Sequence, residues 1–366
     1  MNSKNKLLWF SKRWNKLEKN PEVILRTTNR MRVFNFHEII KENHNVESVI
    51  YGLQNKPINI NNYNIFIFQK TIPSIKLALF LSSQPSRLVI FDICDPFSKN
   101  FIKNRAHYLC DLIVTSNEEL SKYTKDQGAK VRVKTILDSH EVINSLQKKH
   151  INKEKINVSW YGVGVNYFSF IKRFKNIFDN RFIEFSWASG ENKKWINEWG
   201  FTKGINMELD WRTAPKEKES WQKFLLKSDV GIVPVYDAIK SPHKILNYMA
   251  LGIPVICSPT DSHKRIIKHG INGFFASTDE EWNQYLNLLH NYKLRKKIGR
   301  AAIDTARENY SVETTANRYL DLIIENISNK KKAKLPINKR IINNLLKHYN
   351  FNNKISKNRI YKNKHL

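Results

Sequence analysis

The chain has 366 residues and carries 62 lysines and arginines against 33 aspartates and glutamates, which gives a formal net charge of +29 at pH 7. Hydrophobic residues make up 41% and aromatic residues 12% of the sequence, which excludes an intrinsically disordered composition. At this length two domains are expected rather than one. The three cysteines (Cys94, Cys110 and Cys257) lie far apart without CxxC spacing, which excludes a disulfide scaffold and a cysteine zinc site.

No apolar run approaches the roughly 18 residues that a helix needs to span a bilayer. The basic N-terminus contains only the apolar stretch Leu7–Phe10, which is too short for a secretory signal. The sequence therefore predicts a soluble, cytoplasmic protein in a reducing compartment.

The positive charge is unevenly distributed along the chain. Residues 330–366 contain 12 lysines and arginines and no acidic residue, which leaves +17 of the +29 for residues 1–329. Such a balance indicates a partner that carries phosphates, or an anionic membrane surface. The alternative is a surface on which lysine and asparagine are simply abundant. Within the tail, Ile337–Phe351 has amphipathic helical spacing suited to a membrane surface, and a disordered tail is the alternative.

The first half of the chain alternates short apolar segments with amphipathic ones, the pattern of a doubly wound parallel sheet. The predicted strands are Leu7–Ser11, Val46–Tyr51, Asn64–Gln69, Arg87–Asp92, Leu112–Ser116 and Val131–Ile136. The predicted helices are Pro21–Glu42, Pro73–Ser82, Asn100–Cys110 and Asn117–Gln127.

A polar, basic stretch at 147–155 reads as a linker, after which the alternation restarts. The predicted strands are Ile156–Tyr161, Phe182–Trp187, Met207–Trp211, Val230–Val235 and Ile253–Cys257. The predicted helices are Tyr167–Phe178, Glu219–Lys227, Pro242–Leu251, Ser262–His269, Glu280–Asn291, Lys293–Asn309 and Val312–Asn326. The expected organisation is an N-terminal domain at 1–146, a linker at 147–155, a second domain at 156–310, a terminal helix at 311–328 and a basic tail at 329–366.

One helix start suggests an anion site. Ser241 is a good N-cap and Pro242 suits the first helical position, so Lys244 falls in the first turn, where a cation opposes the helix dipole. This conflict is resolved if an anion such as a phosphate lies beside the free helix N–H groups. The alternative is that Lys244 extends into solvent.

Two further sequence features, one in each predicted domain, are candidates for ligand contacts at strand ends. The turn Trp160-Tyr-Gly-Val-Gly164 allows a diphosphate to approach the backbone closely at Gly162 and Gly164, and a tight turn without a ligand is the alternative. Asp95 follows a predicted strand, where it either orients an acceptor hydroxyl or acts as a base, or else caps the next helix. No His, Asp or Glu group has metal-ligand spacing, so neither a metal nor another cofactor is expected.

The segment Ser241–Ile256, with the pattern Ser-Pro-x-Lys-x-x-x-Tyr-Met-Ala-x-Gly-x-Pro-Val-Ile, resembles the nucleotide-sugar region of family-4-like ("group 1") glycosyltransferases. The resemblance continues through Lys264–Phe275 and covers about 156–327, and Arg30-Met-Arg32 and Phe91–Asp95 resemble shorter elements of the same family. It implies the GT-B fold, two Rossmann-like α/β domains facing across a cleft.

The resemblance also implies roles for individual residues. Donor-binding residues would be Gly162, Gly164, Ser241, His243, Lys244 and Asn247, catalytic residues Asp95 and Lys244, and acceptor-side residues Arg30 and Arg32. The implied reaction moves a sugar, with retention, from a nucleotide-diphosphate donor to a glycan or lipid-linked acceptor in surface polysaccharide synthesis, without a metal or other cofactor. The tail would meet an anionic membrane, and no nucleic acid partner is expected.

Two departures leave an alternative open. The family places glutamates where this chain has Asn247 and Ile239. Asn247 keeps one acceptor oxygen for the donor ribose and adds two donors. The first alternative function is therefore a catalytically inactive nucleotide-sugar-binding scaffold of the same fold. A nucleic-acid-binding protein, indicated only by the charge, is the second alternative.

Overall fold

The computed structural model describes residues 5–11, 29–42, 46–53, 58–71, 73, 77, 80–81, 84, 86–96, 110–142, 144–162, 180–189, 203–206, 219–235 and 239–329. These residues form two compact units. The first unit is drawn from residues 1–19, 40–136 and 318–366, and the second from residues 20–39 and 137–317.

The first unit contains a parallel six-stranded sheet. Its strands are β1 (Asn5–Phe10), β2 (Val46–Ile50), β3 (Ile65–Gln69), β4 (Leu88–Ile93), β5 (Leu112–Thr115) and β6 (Arg132–Thr135), in the spatial order β2-β1-β3-β4-β5-β6. All residues of β3, β4 and β5 are buried, as expected for strands covered on both faces. The six predicted strands are confirmed to within two residues at each end.

The helices of the first half are described only in part. Helix α1 (Asn35–Ile40) follows a π-helical turn, Arg30–Phe34, and α2 spans Glu118–Asp126. The side chain of Asn117 accepts a hydrogen bond from the Leu120 amide at 2.7 Å and caps α2, as the sequence predicts. The predicted helices at 73–82 and 100–110 lie largely outside the described residues.

The second unit contains another parallel six-stranded sheet. Its strands are β7 (Ile156–Gly162), β8 (Ile183–Ser189), β9 (Lys203–Asn206), β10 (Val230–Val233), β11 (Val255–Cys257) and β12 (Phe274–Phe275), in the order β12-β11-β10-β7-β8-β9. Alternate residues along these strands belong to two apolar clusters: Val158, Ile232 and Ile256 to one, and Tyr161, Val233 and Val255 to the other. Because side chains alternate across a strand, the two clusters cover opposite faces of the sheet.

The described residues form six helices that surround the second sheet or follow it along the chain. They are α3 (Glu219–Lys227), α4 (His243–Ala250), α5 (Asp261–Lys264), α6 (Asp279–Leu288), α7 (Tyr292–Tyr310) and α8 (Val312–Asn329). Thr278 and Glu281 form a reciprocal capping box at the start of α6. Two doubly wound α/β units, the predicted fold class, are confirmed. The basic tail at 330–366 lies outside the described residues.

In the second half of the chain, one strand was not predicted, and three predicted elements differ from the structure or cannot be compared with it. Strand β12 was not predicted, because two phenylalanines are too short a run to show a period. The predicted helix 262–269 is wrong beyond Lys264, because the chain turns there and residue 269 pairs with Gly273 in a β-bridge. The predicted strand 207–211 and helix 167–178 lie outside the described residues, and the described strand at this point of the chain is β9.

The unit boundaries differ from those expected from composition. Residues 137–155, which include the predicted linker, belong to the second unit, whereas residues from 318 onward in α8 belong to the first. The ring of Tyr319 in α8 lies 5.7 Å from that of Trp9 in β1, and the two side chains are fully buried. A buried aromatic contact thus joins the middle of α8 to the first sheet.

The stretch 147–155 is anchored rather than flexible. The carboxylate of Asp229, fully buried at the start of β10, accepts hydrogen bonds from the Asn157 amide at 2.9 Å and from Lys153 at 2.8 Å. Lys148 lies 3.1 Å from the other carboxylate oxygen. The ring of His150 contacts the Gly252 carbonyl at 2.8 Å. The lysines that made this stretch resemble a linker therefore pair with the buried carboxylate of Asp229.

No described helix is long and apolar enough to cross a membrane.

Candidate functional site

The strand order of the second sheet reverses beside β7, which has β10 on one side and β8 on the other. In open α/β sheets ligands bind outside the carboxyl ends of strands at such a switch point. Gly162 ends β7 at this edge, and α4 begins beyond the carboxyl end of β10. The structure therefore brings the predicted residues Gly162, Ser241, His243, Lys244 and Asn247 to the switch point, while Gly164 lies outside the described residues.

The start of α4 differs by one residue from the prediction. The helix begins at His243 and its cap position is Pro242, which has no side chain able to accept a hydrogen bond. The hydroxyl of Ser241 instead accepts from the His243 amide at 3.3 Å. Ser241 thus satisfies one helix N–H from outside the cap position, and Lys244 still lies in the first turn.

Lys244 is a half-buried cation held against aromatic rings. Its Nζ lies 5.1 Å from the ring centroid of Trp160 and 5.8 Å from that of Tyr161. Burial, and secondarily the charge of Lys240, lower its pKa from the ordinary value to about 8. Among the described residues no carboxylate pairs with it. A partly desolvated ammonium without a counter-ion, at a helix N-terminus, favours an anionic ligand.

Gly162 makes room for that ammonium. A Cβ atom built at Gly162 would lie 2.5 Å from Lys244 Nζ and 2.8 Å from the Trp160 ring. Any side chain here would displace the amine from the end of β7. The glycine predicted to allow close backbone approach therefore also allows close approach of Lys244.

Asn247 lies one turn further along α4 and is fully buried. Its side-chain oxygen accepts from the Glu141 amide at 2.9 Å, and its NH2 group donates to the Tyr161 hydroxyl at 3.0 Å. Asn247 thus connects α4 to residue 141 and to β7. Its implied role at a donor ribose stays a prediction.

The rest of α4 is fastened to the sheet and to α7. The Tyr248 ring covers Gly231 of β10, where a Cβ atom would lie 2.6 Å from the ring. The Tyr248 hydroxyl donates to the Ser159 carbonyl at 3.0 Å. Arg307 in α7 donates to the Ala250 carbonyl at the last turn of α4, at 3.0 and 3.2 Å. These contacts explain Tyr248 of the motif as a packing residue and give α4 a fixed position.

His243, the first residue of α4, is half-buried beside Lys244. Burial and the charge of Lys244 lower its pKa to about 4, against the opposing effects of Asp138 and Glu141. The imidazole is therefore neutral at neutral pH, when one ring nitrogen donates and the other accepts. It can offer an N–H to an anionic ligand without adding a second charge to that of Lys244.

Arg30 and Arg32, predicted on the acceptor side, belong to the second unit and form buried ion pairs. Arg30 contacts both carboxylate oxygens of Glu141, at 2.6 and 2.7 Å, and Arg32 contacts Asp138 at 2.6 Å. Sequence reasoning missed both acids. The signal that could have found them is the run Asp138-Ser-His-Glu141, an acidic cluster directly after a strand segment.

Asp95 lies in the first unit, after β4. It is half-exposed and forms an ion pair with Lys70, which follows β3. Its predicted catalytic role stays a prediction.

Two residues that the sequence analysis did not single out lie at the switch point of the first sheet, between β1 and β3. Ser11 follows β1 and Gln69 ends β3, and both are fully buried. The Ser11 hydroxyl and the Gln69 side-chain oxygen have no hydrogen-bond partner in the part of the chain that the structure describes. The signal for both was a polar residue at the carboxyl end of an apolar strand.

Within the described ranges, no group of three or more His, Cys, Asp or Glu side chains could hold a metal ion.

Comparison with known proteins gives a match to one family model and a set of structures with a similar fold. Residues 170–305 match the family model of glycosyl transferases group 1. Comparison with curated protein sequences gave no match.

Several solved structures are similar to the chain. Anabaena HepE, in complex with UDP and glucose, has a TM-score of 0.56 at 12% identity, over 88% of this chain and 99% of HepE. Sucrose-phosphate synthase from Thermosynechococcus elongatus has a TM-score of 0.61 at 11% identity, over 89% of this chain and all (100%) of that protein. TarM, a protein of S. aureus, has a TM-score of 0.51 at 16% identity, over 70% of this chain and 54% of TarM.

At these identities the structures show the fold alone. The resemblance predicted from the sequence is confirmed: the chain has the GT-B fold, and its residues 170–305 match the group 1 glycosyltransferase family model.

Proposed function

We propose that this protein transfers a sugar from a nucleotide-diphosphate donor to a hydroxyl of a glycan or lipid-linked acceptor. The observation that carries the proposal is Lys244, a partly desolvated cation in the first turn of α4, at the switch point of a doubly wound sheet. Diphosphate is the part of such a donor that needs a fixed positive charge. The family match over residues 170–305 and a structural neighbour in complex with UDP and glucose support this chemistry.

The chemistry at the donor follows from the residues at this edge. When the sugar–phosphate bond breaks, negative charge develops on the departing diphosphate oxygen. The ammonium of Lys244, the free N–H groups at the start of α4 and a neutral imidazole N–H from His243 can stabilise that charge. Since these groups supply the positive field, the proposed transfer needs no metal.

The proposal extends to the stereochemistry and to the acceptor. In a retaining transfer, the departing oxygen accepts the proton of the acceptor hydroxyl, which attacks on the face that the diphosphate leaves. For the acceptor hydroxyl we propose Asp95, which follows β4 and is half-exposed, as the orienting residue. A lipid-linked acceptor in surface polysaccharide synthesis would bring residues 330–366, with their excess of positive charge, to the cytoplasmic face of an anionic membrane.

The nucleotide is tested first, by thermal unfolding with UDP, GDP, CDP or TDP. A nucleotide at about 100 times its Kd stabilises the native state by about 2.7 kcal/mol, and a clear rise in Tm with one of them is expected. The matching nucleotide-sugar, incubated with glycan primers, should then give transfer. Binding without transfer or hydrolysis would favour the inactive scaffold, and no binding of any nucleotide would contradict the proposal.

Lys244 gives donor binding a pH dependence that can be measured by calorimetry with UDP. The protonated ammonium attracts the diphosphate and the neutral amine does not, so affinity should fall as the pH rises through about 8. The fall reaches up to about tenfold per pH unit above the pKa. The control is Lys244→Arg, whose guanidinium stays protonated throughout. A profile as steep in Lys244→Arg as in the natural protein would contradict the assignment.

A further inference from the structure

Two buried ion pairs fasten one short turn to one short loop inside the second unit. Arg30 and Arg32, both on the π-helical turn 30–34, are the hydrogen-bond donors, and the carboxylates of Glu141 and Asp138 accept these hydrogen bonds. All four side chains are at most 6% exposed. The first pair is bidentate, and Asn35 adds a hydrogen bond to Glu141 at 3.2 Å.

The acidic loop in turn touches α4. The Glu141 amide donates to the Asn247 side chain at 2.9 Å, and Asn247 donates to the Tyr161 hydroxyl at 3.0 Å. The Tyr161 ring lies 5.8 Å from Lys244 Nζ. An unbroken chain of contacts therefore runs from Arg30 through Glu141 and Asn247 to the ring beside the donor-site lysine.

The two arginines and the two carboxylates together carry no net charge. This neutrality matters because the charges of Asp138, Glu141 and Arg30 act on His243. The charged groups that act on His243 are Lys244, Asp138, Glu141 and Arg30. With both arginines in place the two carboxylates are compensated. Without one of them, a buried carboxylate would be left unpaired close to the imidazole.

Buried ion pairs of this kind are poor devices for stability alone, because the cost of desolvating the charges offsets much of their attraction. They do fix geometry, since a guanidinium meets a carboxylate in one fork-like arrangement. π-helical turns, moreover, occur frequently at functional sites.

We propose that Arg30 and Arg32 are positioning residues of the donor site, which anchor and neutralise the loop 138–141 so that it holds α4 through Asn247. The arginines then affect binding of the nucleotide-sugar indirectly, through Glu141, Asn247 and His243. They contact no substrate themselves. This inference rests on the proposed donor site at Lys244.

The experiment uses the full chain with Arg30→Gln, Arg30→Lys and the control Lys153→Gln. Lys153 also forms an ion pair in the second unit, with Asp229, away from the start of α4. Two quantities are measured: the Kd for UDP, or for whichever nucleotide the thermal screen selects, and the pKa of His243 by NMR. The signal of His243 is assigned by its loss in His243→Gln.

Arg30→Gln is expected to weaken nucleotide binding at least tenfold and to raise the pKa of His243 from about 4 by about one unit or more, since an unpaired carboxylate favours the charged imidazole. Arg30→Lys keeps the charge without the fork, so it should recover most of the His243 value and only part of the affinity. If Arg30→Gln does not fold, Arg30→Lys alone decides, because a positioning role still requires its partial loss of affinity.

Unchanged nucleotide affinity and an unchanged pKa of His243 in a folded Arg30 variant would overturn the inference. Equal effects in Lys153→Gln would also overturn it, because they would trace the change to general destabilisation of the unit. The titration of His243 requires no ligand. If the natural protein binds no nucleotide, the proposed function is contradicted. The effect of Arg30 on the pKa of His243 can still be measured in that case.

Discussion

Replacing Lys244 with alanine should reduce transferase activity and nucleotide affinity at least tenfold, with the fold intact. A hydrogen bond to a charged group contributes about 1.5–3 kcal/mol, which corresponds to a factor of roughly 10 to 150 in affinity. Lys244 is half-buried and, within the described part of the chain, has no anionic partner, so its removal leaves no unpaired carboxylate behind. Calorimetry with UDP and a transfer assay measure the two losses.

Lys244→Met separates charge from packing. Methionine keeps an apolar stem near Trp160 and Tyr161, so it should lose as much affinity as alanine while retaining more stability. The matched control is Lys268→Met, an exposed lysine of the same unit, which should change neither quantity. Unchanged nucleotide affinity and turnover in Lys244→Ala would show that the site lies elsewhere.

Asp229→Asn should destabilise the fold strongly. The carboxylate is fully buried and compensates Lys148 and Lys153 together, so an amide would leave two cations without their counter-ion. Breaking a buried pair in this way costs about 3–5 kcal/mol. Unfolding in urea at pH 7 measures the loss, and Asp261→Asn, which removes an exposed pair with Lys264, should cost no more than about 1 kcal/mol.

The effect of the same substitution on the free energy of unfolding should depend on pH. Burial alone would raise the pKa of Asp229, but the hydrogen bonds from Lys153 and the Asn157 amide, with the charge of Lys148, outweigh it and lower the pKa. A carboxylate with a lowered pKa stabilises the fold above its unfolded value of about 3.9, and this contribution is lost as the pH falls through the folded value. The difference in unfolding free energy between the natural protein and Asp229→Asn should therefore shrink in acid. A difference that is constant from pH 7 to pH 3 would contradict the ionic role of Asp229.

Buried or half-buried lysines of the second unit lie in two different surroundings. Lys148 and Lys153 lie beside a carboxylate of the same chain, and they hold residues 147–155 against β10. Lys244 lies beside aromatic rings and a second cation, Lys240, so its charge is left for a ligand. The proposed function depends on this contrast, because the sequence contains many lysines and only their surroundings distinguish them.

Local features of the candidate site could be predicted because they depend on neighbours along the chain. The apolar runs of β7 and β10, the proline before α4 and Gly252 after it, with a φ of 76°, place Lys244 in a first turn from sequence alone. The prediction erred by one residue at the cap, where Ser241 reaches the His243 amide from outside the cap position. It failed at β12, since two residues carry no periodicity.

Contacts between distant residues could not be predicted. Arg30 and Glu141 are 111 residues apart, and Arg32 and Asp138 are 106 apart, so no local pattern links them. The resemblance placed the arginines on the acceptor side, while the structure pairs them with the loop that contacts α4. The same applies to Asn247, whose amide is engaged by residue 141 and by Tyr161.

The sequence by itself determined the two doubly wound α/β units, the excess of +29 and the position of one lysine against its helix dipole. These follow from hydrophobic periodicity and capping, which act over a few residues. Only the tertiary structure decided which charges are neutralised within the protein, because pairing and desolvation depend on residues far apart in sequence. Asp229 compensates two of the cations, and the acidic loop 138–141 compensates two more. The ammonium of Lys244 lies beside Trp160, Tyr161 and Gly162, and its charge is available to an anion.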